Sequence, residues 1–130
     1  MAMDEMLVKL KALQVGFGLK LPARLAAIDT AVQDCRDQPQ LREHVDTLHR
    51  LLHTMAGSAG TFGYEALGVR AREFEQEVKV WLAVDRWSER DLDRLALLLP
   101  KLKLFLEPED QKEDQQEGQQ ERRPGDQGGP

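Results

Sequence analysis

"LREHVDTLHRLLHTMAGSAGTFG", residues 41–63, is the stretch on which the reading of the fold turns. Leu41, Val45, Leu48, Leu52, Met55 and Ala59 recur at steps of four and three, so at 100° per residue all lie within about 40° of Leu41. That is one apolar stripe on one amphipathic helix. The far end of the same helix carries Gly57 and Gly60, and Gly63 closes the stretch as a natural helix stop. Each interior glycine costs roughly 1 kcal/mol relative to alanine, so their presence needs a reason. On the wheel His53 falls about 120° from Leu41, with Arg42, Asp46, His49 and Arg50 on the same flank. Gly57 and Gly60 lie on that flank too, at about 160° and 100°. They therefore bare the surface one and two turns beyond an exposed imidazole. The competing reading is that they admit a neighbouring helix or mark a fraying end.

Working outward, four further segments show helical spacing. Met6, Leu10, Leu13 and Phe17 form a short first segment, which Gly16 and Gly18 are expected to interrupt. Leu21, Leu25, Ile28, Val32 and Cys35 form a second stripe, with Pro22 placed in its first turn. Asp37 and Gln40 have capping-box spacing ahead of Leu41, with Pro39 in the first turn. Leu67, Ala71, Phe74, Val78 and Trp81 follow Gly63, and Leu92, Leu95, Leu99, Leu102 and Leu106 follow a cap at Ser88, where Asp91 completes the capping pair and Trp87 and Leu92 have staple spacing. Pro100 is expected to kink this last helix. The pattern predicts an all-α fold: an antiparallel four-helix bundle over about 20–106, preceded by a short additional N-terminal helix over about 4–16, making one unit of residues 1–107.

With 41% apolar residues and 5% aromatic ones, the core is built from Leu, Ala and Val. The net charge is −5, of which residues 108–130 carry −4, from seven acids against three bases. That acidic, Gln-rich segment is expected to be a disordered tail or an interdomain linker. The near-neutral body lacks the basic patch that nucleic acid would need. No long apolar run points to a membrane and no leader is visible, so a cytoplasmic location is expected. The lone Cys35, on an apolar stripe, fits a small core residue in a reducing compartment. His49 and His53 are spaced for one helix face to hold a metal, but Arg50 stands where an HExxH helix has Glu and no third ligand is evident, so no metal site is expected. Ser58 has no oxyanion turn after a strand to support nucleophilic catalysis.

Residues 53–75, "HTMAGSAGTFGYEALGVRAREFE", resemble the signature of the histidine-containing phosphotransfer (HPt) domain at His53, Met55, Gly57, Ser58, Gly63, Leu67, Ala71 and Glu75. The resemblance in pattern covers about 20–106. It implies a phosphorelay carrier in two-component signalling rather than an enzyme. In this reading His53 is the phosphoacceptor, taking a phosphoryl group from a receiver-domain aspartate or a hybrid histidine kinase and passing it to another receiver. Gly57, Ala56 and Gly60 would give access and positioning near the phosphoryl group; His49, Arg50 and Asp46 are candidates for docking or charge support. Mg²⁺ is expected on the partner receiver and no cofactor on this domain, which is expected to be a monomer. Free imidazole has a reference pKa near 6.5, so an exposed ring needs no buried base to be nucleophilic. One departure stands out: the family commonly has lysine three residues after the histidine, where this chain has Ala56. It motivates the alternative of a degenerate docking scaffold that binds a receiver without phosphotransfer.

Overall fold

The computed structural model describes residues 2–108. Four helices account for most of them: α1 (Ala2–Asp37), α2 (Arg42–Thr61), α3 (Glu65–Val84) and α4 (Glu89–Leu102). No strand occurs among the described residues. The segment expected to be a disordered tail lies outside them, apart from Pro108.

The first helix corrects the sequence reading. The short additional N-terminal helix over about 4–16 is not separate: α1 is a single helix of 36 residues running through Gly16, Gly18 and Pro22. Pro22 removes the backbone bond to the Gly18 carbonyl and would crowd it, and each glycine adds roughly 1 kcal/mol of helix cost. Tertiary contacts offset this. Phe17, Leu21, Leu25, Ile28, Val32 and Cys35 are all buried, on both sides of the proline. A Cβ at Gly18 would stand 2.7 Å from the Tyr64 hydroxyl, so an alanine there would make that ring shift. Tyr64, in turn, packs its ring on Phe17 at 5.1 Å between centroids.

The expected cap at Asp37 is also displaced. Asp37 ends α1, and Leu41 precedes α2 without a side-chain cap. The chain turns instead through Gln38 N–H to Asp34 O (2.9 Å) and Leu41 N–H to Gln38 O (3.1 Å). At the far end of α2, Gly63 adopts φ 86°, a left-handed conformation that glycine takes without strain. The N–H of Tyr64 then reaches back to Ala59 O at 2.7 Å. Helix α4 starts as read: Ser88 and Asp91 cap each other reciprocally, and Leu92 is buried beside half-buried Trp87. Pro100, however, lies in the last turn of α4 and ends it at Leu102 rather than kinking a longer helix through Leu106.

Helix α2 packs on α1 and α3, and α4 on α1 and α3. Trp87 Nε1–H donates to Pro39 O at 2.7 Å, which places the α1–α2 and α3–α4 connections at one end. Gln14 Nε2–H donates to Phe62 O at 3.0 Å, tying α1 to the α2–α3 connection at the other end. The core contains Leu48, Leu52, Met55, Leu67, Val78 and Leu95. Gly68 sets the closest helix contact. A Cβ there would meet Ala56 O at 3.1 Å and Gly60 N at 3.2 Å, so α3 lies directly against the backbone of α2.

Candidate functional site

The close seam between α2 and α3 builds the site. His53 projects from the flank of α2, its side chain 68% exposed. One turn earlier on the same flank His49 is half-buried, its ring stacked on that of His53 at 6.2 Å between centroids. Across the seam, Glu75 lies two turns beyond Gly68 on α3 and is 4% exposed. Because Gly68 lets α3 approach, the Glu75 carboxylate reaches both rings: Oε2 is 2.6 Å from His53 Nδ1 and 3.4 Å from His49 Nε2.

A carboxylate only accepts, so His53 Nδ1 carries the proton and donates it to Glu75. Nε2 is then left with its lone pair, on a side chain that is 68% exposed. A carboxylate this buried needs compensation, and the charge-assisted bond to His53 supplies it. The Glu75 Oε1 and His49 Nε2 atoms are buried and have no hydrogen bond among the described residues. His49 therefore faces the carboxylate without completing a bond to it.

The remaining candidates separate. Gly57 and Gly60 are exposed, and a Cβ on either would meet nothing within 4 Å. They admit no neighbouring helix; that role belongs to Gly68. The surface beyond His53 is open. Ala56 stands apart from them, 3% exposed in the core at the contact with α3. A lysine there would have to run outward along α3 before its ammonium met water. Asp46 turns to Arg42, its i,i+4 partner at 3.8 Å, and Arg42 goes on to Asp85 and to Leu82 O. Arg50 donates to Thr47 Oγ1 at 3.3 Å. Neither residue is brought to the His53 ring. His44 is half-buried and pairs with Gln38 at 2.9 Å.

Glu75 as the partner of His53 was not read from the sequence, although Glu75 is one of the positions that carry the family resemblance, on α3. The available signal was a charge one turn from Ala71 and next to Phe74, at the edge of an apolar stripe. No group of three or more His, Cys, Asp or Glu side chains among the described residues has the arrangement to hold a metal ion.

A family model for the Hpt domain matches residues 17–107. The chain belongs to the Hpt domain family. No curated protein and no solved structure matches it. The match extends three residues to the N-terminal side of the expected 20–106 and one beyond it, and begins at Phe17, which is buried in the core. Hpt domains are helical phosphotransfer modules of two-component signalling, which interact with receiver domains and histidine kinases and are not themselves catalysts. No helix among the described residues of this Hpt domain is long and apolar enough to cross a membrane.

Proposed function

We propose that this Hpt domain is a phosphorelay carrier, an antiparallel bundle whose His53 receives a phosphoryl group from a receiver aspartate or a hybrid histidine kinase and passes it to another receiver. One observation carries the reading: an exposed imidazole has its Nδ1 proton held by a buried carboxylate, and its other nitrogen borders open surface. The Nε2 lone pair attacks phosphorus, the bond from phosphorus to the aspartyl oxygen breaks, and its electrons return to the receiver's carboxylate. No proton needs to leave. The ring becomes a phosphorylated imidazolium, with Nδ1–H still donated to Glu75, so the new positive charge develops against a negative one fixed before the reaction. The reverse step uses the same arrangement: the next receiver's aspartate attacks phosphorus and the N–P electron pair returns to Nε2.

In this scheme Gly57 leaves space for the phosphoryl group and the receiver's loops, and Gly60 extends that bare surface toward the helix end. The receiver brings Mg²⁺, while this domain supplies the oriented nucleophile and a docking flank on which Asp46, His49 and Arg50 lie. Such a carrier acts in the cytoplasm and requires neither nucleic acid nor a membrane. With Ala56 in place of a lysine, the negative charge of the bound phosphoryl group is left to the receiver's Mg²⁺ to offset. That substitution is also the one feature that favours a docking scaffold without transfer.

Phosphoryl transfer separates the two readings. Radiolabelled phospho-receivers offered to the wild-type chain and to His53→Gln, both helical by circular dichroism, should leave acid-labile, base-stable label on the wild type alone. A folded wild type that binds a receiver but takes no label from a broad panel would make the scaffold the correct reading.

A further inference from the structure

Helix α1 outruns the helices it packs on. Its 36 residues span about 54 Å, against about 30 Å for the 20 residues of α2 or α3. Gln14, bonded to Phe62 O, marks where the body ends. Residues 2–13 precede that tie and cover about 18 Å, and every one of residues 4–13 is exposed. This projecting part is not polar. Met6, Leu10 and Leu13 are 63%, 52% and 53% exposed, and Leu7 beside them is 60% exposed.

The first three continue, at steps of four, three and four, into buried Phe17, so the stripe that forms the core runs on past the end of the bundle, half-exposed among the described residues. The spacing is that of the a and d positions of a helix pair. Burying these four half-exposed side chains on each of two chains would hide on the order of 500 Å² of apolar surface. With polar flanks the contact would come to about 1,000 Å², the low end for a specific pair. Residues 109–130 offer no large apolar side chain to this seam.

We propose that two copies of this chain associate through the projecting part of α1, antiparallel, with Leu10 of each near the twofold axis and Met6 of one copy facing Leu13 of the other. Direction follows from the shape. The seam lies on the side of α1 where its own body begins below Gln14, so a parallel partner would drive its body into that space. An antiparallel partner sets its projecting turns above the α2–α3 connection and carries its body away past the first chain's N-terminus. Val8 and Leu19, on the opposite side of α1, stay outside the contact. The pairing replaces the monomer expected from sequence, and the small area puts it in the weak, transient class.

Sedimentation equilibrium of the full chain from about 1 to about 300 µM tests this. The weight-average mass should climb from 14.8 kDa toward twice that value, and Leu10→Glu should stay at the monomer mass with its helix content intact. Under mild oxidation Leu10→Cys should form an interchain disulfide and Val8→Cys should not; Cys35, the one native thiol, is buried and does not compete. A wild type of constant monomer mass would overturn the proposal. So would a Leu10→Glu chain that still dimerises, or equal cross-linking at positions 8 and 10.

Discussion

Gly57 on the open flank of α2 and Gly68 in the α2–α3 seam should respond differently to alanine. At Gly57 a Cβ meets nothing within 4 Å. Gly57→Ala therefore adds only the helix-propensity gain of about 1 kcal/mol, which for a domain of this size raises Tm by about 4–8 °C. At Gly68 the same Cβ would stand 3.1 Å from Ala56 O and 3.2 Å from Gly60 N, both backbone atoms that cannot swing aside. Helix α3 would have to move off α2, at a cost of about 1–3 kcal/mol, which cancels or exceeds the propensity gain. The two alanine variants should then differ by about 1–3 kcal/mol, with Gly57→Ala the more stable. Urea unfolding followed by circular dichroism measures both from the shift in midpoint at constant slope. A Gly57→Ala protein less stable than wild type would refute the claim that this glycine serves no internal contact. A functional arm completes the test: Gly57→Leu should fold at least as well as wild type yet accept phosphoryl groups about tenfold or more slowly, because only the incoming partner meets the side chain.

Glu75→Gln should keep the bond from His53 Nδ1 but lose its charge assistance, slowing labelling of His53 by about tenfold; nitrogen-15 NMR of the histidines should show the Nδ1–H tautomer weakened, and an unchanged tautomer with an unchanged rate would count against the proposed role. His49→Leu removes a buried ring nitrogen that has no hydrogen bond, so unfolding should show stability unchanged or raised by about 1 kcal/mol, with transfer to His53 retained; loss of transfer in a folded variant would give His49 a part in the chemistry. Burial, with Asp34 adding to it, pushes the Cys35 thiol up from 9.0 to about 11. The folded state holds the proton more tightly than the unfolded chain, so this contribution is complete below pH 9 and is lost as pH rises through about 11. Denaturation midpoints should fall across that window, and less so in Cys35→Ala.

Elements whose signals are local could be read from the residues alone. Gly63 supplies a left-handed stop, Ser88 and Asp91 cap α4 with their own side chains, and the stripes of α2 and α3 name their buried residues because a 3.6-residue period maps directly onto one face. The position of His53 outside its stripe, and of Gly57 and Gly60 beside it, was legible for the same reason. Tertiary structure decided what depends on contact between distant residues. Gly16, Gly18 and Pro22 read as breakers, yet α1 passes through them because Tyr64 and the core side chains on either side hold the helix. Ala56 read as a surface neighbour of the histidine, yet the approach of Gly68 buries it. The same approach brings Glu75 from 22 residues away to the Nδ1 of His53. Periodicity places a residue on a face, but only the distance between two helices decides whether a carboxylate on one can hold a proton on the other.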